Sequence, residues 1–203
     1  MTYTLVFDTE TTGLPPKGDK NLAAQPWILQ LAGILYRDSD RWPVGHFSSY
    51  LIPSHGDLAG TFPNSDFHRD NKLTAEFVLP SALPLDLGLK MFNQLLRRAT
   101  RLAAHNMAFD APRMREHYQR VGVVSEQFEA IPKICTMESL TNVMKLPGKF
   151  PGKYKWPNLA EAYKTYVDPA GFTDAHDAMA DVQACARLLH AIEDKAFPLY
   201  PSV

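Results

Sequence analysis

Cysteine is scarce: two residues, Cys135 and Cys185, in 203, with no Cys-x-x-Cys spacing. That excludes a disulfide scaffold and argues against zinc held by thiolates, although one bridge between the two stays open. An excess of either charge is also missing. Twenty-one Lys and Arg face 22 Asp and Glu, for a net charge of −1. No whole-molecule basic field exists, so any nucleic-acid partner needs a local basic surface. No apolar run reaches membrane-spanning length. The N-terminal MTYTLVFDTETTG has no basic region followed by an apolar stretch and a cleavage site. Internal repeats and low-complexity tracts are absent. What is present is ordinary for a globular chain, 45% hydrophobic and 21% charged, and long enough for one domain with a full core. A cytoplasmic protein with both thiols buried and reduced is the expectation.

The pattern along the chain predicts strands over Tyr3–Phe7, Trp27–Tyr36 and His46–Ile52, joined by turns, in a meander. The stretch from Pro53 to about Pro84 has several prolines and no sustained periodicity, and reads as an irregular surface excursion. Helices are expected over Leu85–Ala99, Met107–Val121, Thr136–Met144, Leu159–Tyr166 and Ala178–Ile192, with short strands at Leu102–Ala104 and Lys133–Cys135. Pro112 is tolerable only in the first turn of its helix. Three strands followed by alternating strands and helices predict an α/β fold with a mixed sheet of about five strands flanked by helices.

Three clusters carry chemistry. Asp8 and Glu10 lie two apart at a strand end and so share a face. Like charges so placed repel unless a cation lies between them, and hard oxygen donors suit Mg²⁺ or Mn²⁺. A solvated strand end is the plainer reading of that pair alone. His105-Asn106-Met107-Ala108-Phe109-Asp110 follows a short strand and opens a helix, where Asn106 suits an N-cap and Asp110 suits the helix dipole. His176-Asp177-Ala178-Met179-Ala180-Asp181 repeats the theme, with Asp177 as a cap and His176 and Asp181 able to face one cleft. Asp174 and Asp177 are decoy carboxylates.

In this order and spacing, Asp8-x-Glu10-Thr11-Thr12-Gly13-Leu14, His105-Asn106-x-x-Phe109-Asp110 and His176-x-Ala178-x-x-Asp181 resemble the DEDDh 3′–5′ exonucleases of the ribonuclease H-like superfamily. The family includes the proofreading epsilon subunit of bacterial DNA polymerase III, and the likeness runs from Phe7 to about Leu189. One departure is the lack of a His-Gly-Ile-Thr stretch, of which His68-Arg69-Asp70-Asn71-Lys72-Leu73-Thr74 is a distant echo. The resemblance implies a ribonuclease H-like sheet and two divalent cations, Mg²⁺ or Mn²⁺, held by Asp8, Glu10, Asp110 and Asp181, with Asp8 bridging. His176 is then the general base. Thr11, Thr12 and Leu14 are implied to line the path of the terminal nucleotide, and His105, Asn106 and Phe109 to bind nucleic acid. Two cations about 4 Å apart would serve an in-line phosphodiester displacement, and imidazole changes charge near neutral pH, as a base should.

Lys145 to Trp156 reads KLPGKFPGKYKW, with no carboxylate between Glu138 and Glu161. Lysines for phosphates and aromatics for bases suit single-strand binding, so Lys149, Lys153, Lys155 and Trp156 join the candidate set. A solvated basic turn is the alternative. The expected function is exonucleolytic release of 5′-mononucleotides from a free 3′ end, single-stranded DNA favoured, in proofreading, repair or end trimming. RNA trimming and an inactive binding scaffold are the competing functions, and a polymerase or repair protein is the candidate partner.

Overall fold

The computed structural model describes residues 1–53, 62–123 and 125–202. Its strands are β1 (Tyr3–Thr11), β2 (Ile28–Arg37), β3 (Trp42–Ile52), β4 (Leu83–Pro84), β5 (Arg101–Ala104), β6 (Lys133–Cys135) and β7 (Pro201–Ser202). They form one mixed sheet in the order β4-β3-β2-β1-β5-β6-β7. The β1–β2 and β2–β3 pairs are antiparallel, while β1–β5 and β5–β6 are parallel. The expected strands are all present. The two additional strands, β4 and β7, are two residues long and contain proline, too short for a period of two to show.

The helices are α1 (Asp66–Asp70), α2 (Ala75–Val78), α3 (Leu85–Leu96), α4 (Met107–Arg120), α5 (Glu126–Ala130), α6 (Thr136–Met144), α7 (Leu159–Tyr166) and α8 (Ala178–Asp194). The segment read as an irregular excursion is ordered in its described part, with α1, α2 and β4 within it; residues 54–61 of that segment lie outside the described residues. Periodicity missed α1 and α2 because they are five and four residues long. Pro112 is the sixth residue of α4, beyond the first turn, so this helix forgoes one internal hydrogen bond.

Strand alternation splits the core. Leu5 and Phe7 of β1, with Leu31 and Leu35 of β2, pack under α3 and α4. Phe92 lies edge-on to Phe7 at 6.0 Å, and Gly33 leaves room for it: a Cβ there would meet the Phe92 ring at 3.0 Å. The opposite face, Val6, Ala32, Ile34 and Ala103, packs against Val182, Cys185, Ala186 and Leu189 of α8. The next residues along that stripe of β1 are Asp8 and Glu10.

Candidate active site

The pairing of β1 with β5 ends at Val6, and β1 runs on to Thr11. Asp8 and Glu10 therefore stand on the last part of β1, beyond the reach of β5, in a strand that runs four residues past its expected end at Phe7. The chain leaves β5 through His105 and Asn106 and enters α4. Asn106 takes a left-handed conformation, φ 72°, and its side chain makes no cap hydrogen bond, so it serves the turn and not as the expected side-chain cap. The turn brings Asp110, 2% exposed, beneath β1. There Thr9, on the opposite face of β1 from Asp8, donates to Asp110 Oδ1 from its N–H (3.1 Å) and its hydroxyl (2.7 Å). Sequence reasoning passed over Thr9, although alternation alone turns it toward the helix that bears Asp110.

The third contribution comes from the start of α8. Asp177 caps this helix, accepting from the N–H groups of Met179 and Ala180. Asp181, in its first turn, accepts from the His176 N–H at 3.3 Å, and its Oδ1 is buried without a partner among the described residues. His176 adopts φ 69° and is exposed, with Nδ1 4.0 Å from Glu10 Oε1. The Phe67 ring meets it edge-on, centroids 5.0 Å apart. Phe67 belongs to α1, whose His68 is buried between the Ser65 hydroxyl at 2.7 Å and the Thr11 carbonyl at 3.3 Å. The segment with the distant family echo thus lands on β1.

Burial first, and mutual repulsion second, push these carboxyl groups toward the protonated form. Asp8 is raised well above the carboxylate range by burial, then by Asp110, Glu10, Asp181 and Asp177. Glu10 is pushed up to about 8 by burial, then by Asp181, Asp110 and Asp177. Asp110 is raised to about 7 by burial, which the Thr9 hydrogen bonds oppose. Asp181 reaches about 6, with burial again the main cause. Ligand atoms of Glu10, His176 and Asp181 all lie within 4.8 Å of one another. Repelling oxygens and an orphaned Asp181 oxygen fit a divalent cation.

The other sequence candidates divide. Leu14, four residues beyond Glu10, is 84% exposed. The Thr12 N–H donates to the Trp27 carbonyl, and its hydroxyl accepts from the Trp27 N–H, which fixes the turn. Thr11 is buried and its hydroxyl donates to the Gly13 carbonyl. Phe109 is half-buried, with the Arg113 guanidinium 5.8 Å from its ring centroid. His105 has no ring nitrogen to spare: Nε2–H donates to the Pro157 carbonyl at 3.0 Å, and Nδ1 accepts from the Thr136 hydroxyl at 2.9 Å. Burial holds its pKa down at about 4, so it is neutral. It ties the base of the basic segment to the motif. That segment closes as a small hairpin through a Pro147–Tyr154 bridge. Phe150 and Trp156 are 72% and 66% exposed. Lys155 pairs with Glu161 at 2.5 Å, and Glu161 caps α7, so Lys155 is engaged while Lys149 and Lys153 extend on the hairpin.

An exonuclease family model, RNase_T, matches residues 5–189. A DNA polymerase III PolC-type from Lacticaseibacillus paracasei is 28% identical over 197 residues, 97% of this chain but 12% of that protein's length. The fold matches E. coli Exonuclease I in complex with a dT13 oligonucleotide, with TM-score 0.71, 17% identity, and coverage of 95% of this chain and 41% of that one. A zinc-bound form of the Exonuclease I–single-stranded DNA complex aligns similarly, with TM-score 0.70, 19% identity, and 96% and 41% of the two chains covered. It also matches the nuclease domain of 3'hExo, a DEDDh family member, bound to rAMP, with TM-score 0.70, 16% identity and 99% and 96% of the two chains covered. With its mixed sheet and its Asp-x-Glu, Asp and His-x4-Asp residues gathered at one end of β1, the chain belongs to the RNase_T exonuclease family.

Proposed function

We propose that the 203 residues act as one cytoplasmic domain, a cation-dependent 3′–5′ exonuclease that releases 5′-mononucleotides from single-stranded DNA. One observation carries this: carboxylates from three distant stretches of sequence meet at one end of β1, with His176 4.0 Å from Glu10. Asp8, Glu10, Asp110 and Asp181 would hold two cations, Mg²⁺ or Mn²⁺. Bound there, the pair would neutralise charge on the phosphodiester and on its leaving oxygen. His176, exposed at the rim, takes the proton of the attacking water. Thr9 holds Asp110 in place. The Thr11–Leu14 turn offers Leu14 to the terminal base, and Phe109 lies on the α4 side of the site. The hairpin, with Lys149, Lys153 and exposed aromatics, steers the strand inward.

The name of the L. paracasei relative supports a polymerase as partner. RNA is a second substrate reading, supported by the rAMP-bound neighbour. An inactive scaffold is disfavoured because all five catalytic positions are filled. The test uses matched single-stranded DNA, double-stranded DNA and RNA, 5′-labelled, with Mg²⁺ or EDTA. Stepwise 3′ shortening of single-stranded DNA with Mg²⁺ alone is expected. Cutting of a circular single strand would overturn the exonuclease reading, and faster RNA loss would reassign the substrate.

A further inference from the structure

Gln30 of β2 stands directly across from Glu10 of β1 and is 6% exposed. Its carboxamide makes two hydrogen bonds, both to the start of α8. Nε2–H donates to Asp177 Oδ2 at 2.8 Å, and Oε1 accepts from the Ala178 N–H at 3.0 Å. Asp177 uses its other oxygen to cap Met179 and Ala180, and its carbonyl accepts from the Asp181 N–H at 2.9 Å. A continuous chain of directional bonds therefore runs from the residue opposite Glu10 to the backbone of Asp181. Next to this link the α8 contact with the sheet is apolar, through Val182, Cys185, Ala186 and Leu189; the ion pair of α8 with the sheet lies at its far end, where Glu193 meets Arg101 of β5 at 2.6 Å. Apolar contact is non-directional and tolerates small slides along the helix axis. An amide with its donor and acceptor both committed does not.

We propose that Gln30 is a positioning residue for the cation site: it fixes Asp181 on α8 relative to Asp8 and Glu10 on β1. The inference rests on the reading of these carboxylates as cation ligands. Gln30 reaches none of the proposed ligands directly through its carboxamide hydrogen bonds. It acts through Asp177, whose carboxylate is drawn to Gln30 and to the helix N-terminus and is thereby kept as a brace.

Mn²⁺ binding to the full chain without substrate, followed by calorimetry, tests this. Gln30→Met keeps length and volume and removes both bonds. It should weaken Mn²⁺ binding about tenfold, the loss typical of a residue that orients a ligand, with an unchanged circular dichroism spectrum. Gln30→Glu sets a carboxylate against Asp177 and should weaken binding at least as much. Combining Gln30→Glu with Asp177→Asn exchanges donor and acceptor: the new amide at 177 donates to the new carboxylate at 30, and the cap is retained. That pair should recover most of the affinity lost by Gln30→Glu, which a general loss of stability would not produce. If Gln30→Met does not fold, Gln30→Asn, one methylene short of both partners, replaces it with the same outcomes. Wild-type affinity in the single variant, or no recovery in the exchanged pair, overturns the proposal. Asp8→Asn in the same instrument separates the two ideas. Equal Mn²⁺ binding by Asp8→Asn and the wild type sinks the cation site itself, whereas weakening by Asp8→Asn but not by Gln30→Met sinks only the role of Gln30.

Discussion

At the residue scale, the energetics of the site are those of carboxylates crowded against one another. Asp8 feels Asp110, Glu10, Asp181 and Asp177 in addition to burial. Replacing it with Ala or Asn should abolish hydrolysis and, without metal, raise the melting temperature, because one repelling group leaves a buried cluster. Retention of Mg²⁺-dependent activity, or a lower metal-free melting temperature, would contradict the assignment. His176 stands differently, exposed and next to Glu10. His176→Ala should reduce kcat by about a hundredfold or more, the usual contribution of a placed base. Mn²⁺ affinity should barely change; a collapse in calorimetry would make His176 a ligand instead.

At the element scale, the basic hairpin divides into a working tip and a fixed base. His105 holds Pro157, and Lys155 is paired to Glu161, the residue that boxes the start of α7. Lys149 and Lys153 project from the tip. Replacing these two with Ala should raise KM for single strands more than it lowers kcat, since phosphate contacts are alike in ground and transition states. The dependence of affinity on log salt should become shallower as fewer counterions are released. Lys155→Ala should leave that slope nearly unchanged. Trp156→Ala should weaken binding by about 1–3 kcal/mol if it stacks on a base, with thermal stability kept because the ring is 66% exposed. An unaltered salt slope and KM in the double-lysine variant would reduce the hairpin to a solvated turn.

At the scale of the whole molecule, the same carboxylates tie stability to pH. An acid whose pKa is higher folded than unfolded keeps a proton that the unfolded chain has already released, so stability falls as pH rises between the two values. Unfolded values are about 4, and the folded ones reach about 6 for Asp181, about 7 for Asp110 and about 8 for Glu10. The metal-free protein should therefore melt at progressively lower temperature from about pH 4 to 8. Mn²⁺ should restore stability most at the upper end, where the ligands are ionised. Melting curves at pH 5 and pH 8, with EDTA or Mn²⁺, check this; parallel behaviour at both values would contradict it. Among the described residues, no helix is long and apolar enough to cross a membrane.

Local pattern was enough for the longer elements and for the identity of the motifs. Alternation in β1 and β2 and the helical stripe of α8 are local patterns, and so is the capping chemistry of Asp177. Short pieces such as α1 and β7 escaped because their few residues carry no period. The tertiary structure decided the rest. Only folding shows that β1 outruns β5, or that Thr9 grips Asp110 across 101 residues of chain. Likewise Gln30 meets Asp177 across 147 residues, and His105 spends both ring nitrogens inside the protein. Local propensity is written in neighbours along the chain, whereas partner choice for a polar side chain is settled by which elements the sheet places side by side.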